Sequence, residues 1–435
     1  MNSNMKQSGL PWAELIPSNW EVERGKRVLT LMQREVRKDD EIITCFRDGE
    51  VILRRLRRED GFTMSDKEIG YQGINVGDIV IHGMDGFAGA IGVSKSQGKG
   101  TPVYVVCTTK DNSNNSYVVY YLRTLAQNNV FLALATGIRE RSCDLKWNKI
   151  SVLPFILPPI SEQKAIADFL DKKCEEIDEL VALQEKIIEE LKSYKQSIIT
   201  ETVCKGLNPN APMKDSGVDW IGEIPEGWQS VPFRAIYNLT KGLNITKENL
   251  VENGVPVISY GQIHSKENSG TCIKESLLRY VPETYLIESP TCLVKKGDII
   301  FADTSEDLEG CGNGVYIDKH MQLFAGYHTI IAQAQDIRGI TKYLSYLFLT
   351  GAWRLQIRSM VNGVKLYSIP QKLLKRTTII LPPIAEQEEI ADYLDKKCSE
   401  IDQLISIKQQ KIVELKDYKK SLIYEYTTGK KRVEA

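Results

Sequence analysis
The sequence predicts an α+β chain in which two mixed α/β modules are separated by a long antiparallel two-helix coiled coil, with the halves related by a pseudo-twofold axis. Three observations carry that prediction. The run LPPISEQKAIADFLDKKCEEIDEL beginning at Leu157 returns as LPPIAEQEEIADYLDKKCSEIDQL beginning at Leu381, and 27 of the 45 positions in residues 157–201 are identical in residues 381–425. Upstream of each copy, SGLPWAELIPSNW from Ser8 reappears as SGVDWIGEIPEGW from Ser216. The stretches between, about residues 22–156 and 229–380, share no comparable likeness. A chain that repeats its frame and varies its inserts presents two different recognition surfaces at a fixed geometry.

Taken in order, residues 1–156 hold a Trp-Pro-Trp opening segment and the first module, 157–207 the central repeated helix, 208–380 a linker and the second module, and 381–435 the C-terminal repeated helix. Within the modules, Gly77-Asp78-Ile79-Val80-Ile81 and Gly297-Asp298-Ile299-Ile300-Phe301 are extended runs bounded by glycine turns. Residues 103–107, 255–259 and 378–381 also read as strands, while 117–127 and 341–355 carry helical spacing. The two Gly-Asp-Ile runs occupy similar places, which predicts a shared fold. Glycines 83–92 and 310–314 are turn formers, because no Lys-Ser/Thr ending follows to make a phosphate loop.

Pro158-Pro159 and Pro382-Pro383 mark the helix starts, with Ser161 as the N-cap candidate and Glu162 in the first turn, where the helix dipole favours an acid. Apolar or long side chains at Ile166, Leu170, Lys173, Ile177, Leu180, Gln184, Ile187, Leu191, Tyr194 and Ile198 alternate by four and three, a heptad stripe. Each helix is expected to run about 40 residues, or ~60 Å. A helix of this kind does not bury its stripe alone. The order module, helix, module, helix favours antiparallel pairing with the other copy over a coil that only dimerises with other chains.

With 42% hydrophobic and 26% charged residues over 435 positions, the composition is that of a folded chain of about three domains. No apolar run approaches 18 residues and residues 1–10 are polar, so neither a membrane span nor export is expected and the cytoplasm is the expected compartment. The nine cysteines form no C-x-x-C pair; Cys174 and Cys398, at equivalent repeat positions, read as small buried residues. The net charge of −1 conceals an asymmetry. Residues 21–150 hold 20 Lys and Arg against 17 Asp and Glu, and residues 229–378 hold 17 against 13, whereas 161–201 hold 6 against 11 and 385–425 hold 7 against 10. Phosphate would be repelled by the helices, so any nucleic-acid contact falls to the modules.

Catalytic chemistry is not indicated. Asn208-Pro209-Asn210 lacks the second proline and aromatic of an amino-methyltransferase motif. Asp303, Glu306, Asp307 and Glu309 have no nearby lysine of the kind a Mg²⁺ nuclease needs and read as a solvated loop. His82, His264, His320 and His328 have no metal-ligand spacing and read as structural residues. No catalytic residue, metal site or cofactor is therefore expected on this chain.

Two variable modules, each preceded by W-x-x-x-I-P-x-x-W and followed by L-P-P-I-x-E-Q-x-x-I-A-x-[FY]-L-D and a long helix, resemble the specificity subunit of type I restriction-modification systems over nearly the whole chain. The resemblance implies that each module is a target recognition domain reading one half of a split double-stranded DNA sequence and that the helices set the spacer. It implies as partners modification (methyltransferase) subunits, two of them, and restriction subunits, with S-adenosylmethionine, ATP and Mg carried by those partners. The competing reading is a non-catalytic coiled-coil scaffold, or an orphan specificity protein, without selective DNA binding.

DNA reading needs cations for phosphates and Arg, Lys, Asn or Gln for base edges. Thr136-Gly137-Ile138-Arg139 and Asn362-Gly363-Val364-Lys365 precede the Leu-Pro-Pro blocks at similar distances, which makes Arg139 and Lys365 candidates, with Arg141 and Asn362 beside them. Arg54, Arg55, Arg57 and Arg58 form the densest basic cluster. Lys241, Asn244, Lys247, Arg354 and Arg358 complete the set, the last two spaced i, i+4 on one helical face.

Overall fold
The computed structural model describes residues 4–57, 69–111, 113–133, 145–335, 338, 342–363 and 366–433. The chain forms two compact units, Met1–Glu185 with Gln409–Ala435, and Lys186–Lys408. Each unit takes one module together with a half of each long helix. The first long helix spans Ile160–Lys205 (46 residues) and the second Ile384–Thr427 (44 residues), roughly 69 and 66 Å at 1.5 Å per residue.

The primary sheet of the first unit has the order Leu29–Leu31, Tyr104–Thr109, Ile79–His82, Ile91–Val93, antiparallel throughout, and Leu31, Cys107, Ile79 and Val93 stand in one register row. In the second unit the order Tyr237–Lys241, Thr329–Ala334, Ile299–Ala302, Gly314–Tyr316 repeats this plan, with Leu239, Ala332, Ile299 and Tyr316 in the matching row. The Gly-Asp-Ile runs thus feed the same inner strand. Asp78 and Asp298 shape the turn before it by accepting from the backbone N–H three residues earlier, of Asn75 at 2.7 Å and Lys295 at 2.8 Å. A further four-stranded sheet in the second unit adds one parallel pair, Val255–Ile258 with Leu323–Ala325.

Both modules open and close on one two-stranded ribbon. Glu21–Arg24 pairs with Pro154–Leu157, and Gln229–Pro232 pairs with Thr378–Leu381. The repeated opening motif then fastens each ribbon to its helix: Trp20 Nε1 donates to Glu162 at 2.9 Å, and Trp228 Nε1 to Glu386 at 3.0 Å, both indoles buried. A Tyr-x-x-Tyr pair fastens the module from the other side. Tyr117 Oη donates to the Ile156 and Thr427 carbonyls and Tyr120 Oη to Asp171; Tyr343 Oη donates to the Val203 carbonyl and Tyr346 Oη to Asp395.

Three expectations need correction. Ser161 is not the N-cap, because the helix already begins at Ile160 and Ala385 holds the equivalent place in a helix that begins the same way. The start is held instead by Gln163 Nε2 donating to the Pro158 carbonyl (2.9 Å), an arrangement Gln387 repeats on Pro382 (2.8 Å). The predicted helix over 341–355 is two helices, Tyr343–Leu347 and Gly351–Arg358, broken where Thr350 turns its hydroxyl onto the Trp353 N–H as a new N-cap.

The inward stripe also runs in a different frame. Ile166, Leu170, Cys174 and Ile177 face inward at steps of four, four and three, after which Val181 and Ile188 are buried while Leu180 and Tyr194 are 47% and 58% exposed. The second copy repeats this with Ile390, Leu394, Cys398 and Ile401, followed by half-buried Ile405, Lys408, Ile412 and Leu415. An eleven-residue step precedes the heptads, and it rotates the seam so that Cys174, not Lys173, lies on it. In the first unit Phe169 and Tyr426 meet at 4.6 Å between ring centroids, and Ile166 to Val181 pack with Leu422 and Ile423. In the second unit Ile199 and Val203 pack with Ile390, Leu394 and Cys398. In both, early residues of one helix meet late residues of the other, so the pairing is antiparallel.

Candidate nucleic-acid interface
Each module opens a cleft at the same edge of its primary sheet. In the first it measures about 740 Å³ and lies where the edge strand ends at Leu31, the long inner strand begins at Tyr104 and the third strand has just passed His82; Gln33, Arg34, Glu35, Gln72 and Trp147 line it. In the second it measures about 680 Å³ and lies past Lys241, ahead of Thr329 and at Asp303, the three matching strand ends. One architecture therefore supplies two clefts with different chemistry.

In the first cleft Arg34 is paired with Asp78, so its charge is partly consumed in holding the Gly-Asp-Ile turn, and Gln72 Nε2 donates to the Tyr104 carbonyl at 2.9 Å. The second cleft is floored by close backbone approach. A Cβ on Gly242 would lie 2.3 Å from the Gly326 carbonyl oxygen, and one on Gly326 would lie 2.1 Å from Ser259 Oγ, so three loops meet where only glycine fits. Above that floor Tyr260 stands edge-on to Tyr327 and His328, each at 5.6 Å, and His328 Nδ1 lies 3.2 Å from Asp303 Oδ1.

Of the sequence candidates, Lys241, Asn244 and Lys247 are exposed and come together at this second cleft. Asn362 is exposed on a separate turn, whose Gly363 packs a would-be Cβ 2.4 Å from the Leu366 carbonyl oxygen. Arg55 is paired with Glu41 at 2.6 Å, and Arg57 with Asp48 at 2.5 Å and Glu50 at 3.1 Å while lying 4.3 Å over the Phe46 ring. Arg54 Nε donates to Thr44 Oγ1 at 3.1 Å. Arg55 and Arg57 of the basic cluster are thus neutralised by their own neighbours. Arg354 and Arg358 turn inward: Arg354 Nε donates to the Phe348 carbonyl (2.9 Å) and Arg358 Nη2 to that of Glu309 (2.7 Å). Burial, with Arg358 alongside, lowers the Arg354 guanidinium to about 10. Arg58, Arg139, Arg141 and Lys365 lie outside the described residues.

The sequence does not single out Tyr260, and it places Asp303 in a solvated loop and His328 among the structural residues rather than at a binding site. Asp303 and His328 stand 25 positions apart with no motif joining them, and only the pairing of Ile299–Ala302 with Thr329–Ala334 brings them together. Of the remaining histidines, His264 contacts the Thr304 carbonyl (2.8 Å) and Asn313 (3.1 Å), His82 Nδ1 accepts from the Met84 and Asp85 N–H groups, and His320 is exposed. No group of three or more His, Cys, Asp or Glu that could hold a metal ion occurs among the described residues, and no described helix is long and apolar enough to cross a membrane.

Comparison with known proteins draws these observations together. Residues 225–417 match the family model of the type I restriction modification DNA specificity domain. The chain is 28% identical over 280 residues to the type I restriction enzyme MjaVIII specificity subunit of Methanocaldococcus jannaschii, an alignment covering 64% of this chain and 62% of that protein. It is 25% identical to the putative MjaX specificity subunit of the same organism over 96% of this chain and 95% of that one. Among solved structures, a chain of a type I R-M system superposes with TM-score 0.70 at 14% identity, covering 95% of this chain and 98% of its own length. The HsdS subunit from Thermoanaerobacter tengcongensis superposes with TM-score 0.55 at 15% identity, with the same coverages. The duplicated frame repeats in the first half of the chain the plan that the family model matches in the second, and over nearly its whole length the chain is similar to the specificity subunits of type I restriction-modification systems.

Proposed function
We propose that this chain reads a split double-stranded DNA target with its two modules, one half-site each, and directs a modification and restriction complex to it. The observation that carries the reading is the pair of clefts at equivalent sheet edges with unlike linings, since equivalent placement serves one task and unlike chemistry serves two sequences. Phosphate anchoring falls to Lys241 and Lys247 and, as candidates from sequence, to Arg139, Arg141, Lys365, Arg54 and Arg58, with Arg55 and Arg57 as weaker contributors because of their acidic partners. The paired helices act as the spacer. The chain itself performs no chemistry; S-adenosylmethionine, ATP and Mg belong to the partner subunits, and the assembly works in the cytoplasm.

Two modification subunits are proposed per chain. Leu180, Leu183 and Tyr418 are exposed in the first unit, and Leu404, Ile407 and Tyr194 in the second, at 46–62%. These are the same three repeat positions with the copies exchanged, so each unit offers an equal apolar face to one copy of a partner. The reading is tested by co-purifying the chain with the modification subunit of its system and sequencing the methylome of cells carrying both. A single split motif, half of which changes when residues 22–156 are exchanged for another module, supports it. A complex that forms without methylating any motif would leave only the scaffold.

A further inference from the structure
His328 adopts φ +54°, the left-handed region, in which glycine sits at less cost and a side chain persists only where its surroundings hold it. What holds it is a built frame. The Asp303 N–H donates to the His328 carbonyl (3.1 Å), the Asp303 carbonyl accepts from the Ile369 N–H (2.7 Å), Thr329 Oγ1 donates to Gly326 (2.6 Å), and Gly242 leaves no room for movement beneath. The imidazole so placed is 57% exposed and the Asp303 side chain 34%, at the mouth of a cleft rimmed by Lys241 and Lys247. A half-buried acid at the mouth of such a cleft is unfavourable for phosphate and suits a hydrogen-bond donor. A cytosine presents that donor in the major groove as its N4 amino group, and a carboxylate accepts from it.

We infer that Asp303 and His328 form the base-reading pair of the second half-site, with Asp303 accepting from a cytosine N4 amino group and His328 fixing that carboxylate through Nδ1 while offering Nε2 to the neighbouring base edge. Lys241 and Lys247 hold the flanking phosphates, and Tyr260 walls the imidazole in place. The inference rests on the half-site reading above and adds to it the residues and the base. A purely structural His328 would be better replaced by glycine, which relaxes the backbone; a reading residue would not.

The test uses the full chain in complex with its modification subunit, comparing methylation rates at the cognate motif and at sites with single base changes. Asp303→Asn, His328→Gly and His328→Asn are each measured beside the wild type, with melting temperatures. The expected result is that His328→Gly melts at the wild-type temperature or above while discrimination at one or two adjacent positions of the second half-site, one of them a C·G pair, falls about tenfold, and the first half-site is unchanged. Asp303→Asn relaxes the same C·G position. Should both His328 variants keep the wild-type motif and discrimination, or should relaxation fall in the first half-site, the assignment of this pair is overturned and the half-site reading stands. Should the wild type methylate no split motif, that reading falls, and the assignment with it.

Discussion
Lys419 Nζ lies 2.6 Å from Asp178, and the repeat counterparts of these two residues, Lys195 and Asp402, meet at 2.7 Å. Each pair joins one copy of the repeat to the other. A parallel pair of helices would set each residue against its own equivalent, Lys beside Lys and Asp beside Asp. Here the lysine of either copy faces the aspartate of the other, which only an antiparallel arrangement produces.

Reversing one member of this pair is expected to matter modestly. Asp178 is 63% exposed, so the attraction is screened and contributes roughly 0.5 kcal/mol. Asp178→Lys should lower the free energy of unfolding by about 1 kcal/mol, because a like-charge contact replaces an attractive one, and Lys419→Asp in the same chain should recover most of the loss. Urea titration of the two single variants and the double variant measures this; absence of recovery would remove the pair from the account of antiparallel packing.

The tryptophan latches should be more sensitive. Glu162→Ala strands the buried Trp20 N–H, a penalty of about 1–3 kcal/mol, whereas Glu162→Gln keeps an acceptor and should cost less than half as much. The same ordering is expected for Glu386→Ala and Glu386→Gln beneath Trp228. Thermal unfolding of the four variants decides it, and equal losses for Ala and Gln would mean that packing, not the hydrogen bond, holds the ribbon.

Asp298 should give an opposite pH signature to an ordinary surface acid. Burial raises its carboxyl above the usual value, only partly offset by backbone donors including the Lys295 N–H. A folded-state value raised above the unfolded 3.8 means that the residue's stabilising contribution is full below 3.8 and is lost as pH rises through the folded value. Asp298→Asn keeps an acceptor for the turn without the buried charge. Its stability relative to the wild type should therefore climb as pH rises across that window, as followed by denaturant unfolding between pH 3 and 7; a flat difference would contradict it.

The exposed tyrosines separate assembly from folding. Tyr194→Glu with Tyr418→Glu should leave the melting temperature within about 2 °C, since both rings already face solvent, yet weaken capture of the modification subunit by tenfold or more. The single variants should each lose one of two copies, read by native mass spectrometry.

Much of this architecture is legible in the sequence because it is written twice. The repeat marks the frame, and the strands expected at 77–81 and 297–301 form as Ile79–His82 and Ile299–Ala302. The seam was misread because Leu180, Ile187 and Tyr194 fit a heptad as well as Val181, Ile188 and Lys195 do, and only burial separates the two frames. The break at Thr350 depends on one hydroxyl choosing a backbone N–H, a choice that periodicity does not register. The second cleft is visible in part: Lys241, Asn244 and Lys247 are near neighbours in sequence, while Asp303 and His328 meet only through strand pairing. Arginine count misleads for a related reason, since the acids that neutralise Arg55 and Arg57 lie 7 to 14 positions away across a hairpin.

The ribbons that close the modules also bear on inheritance. Because Glu21–Arg24 is bonded to Pro154–Leu157, and Gln229–Pro232 to Thr378–Leu381, each module leaves the frame where it entered. Two crossovers between related genes, one in the tryptophan segment and one in the Leu-Pro-Pro block, would transplant a module whole and leave both latches intact. A lineage carrying this frame can thus acquire a new specificity in one recombination event, without passing through a misfolded intermediate sequence.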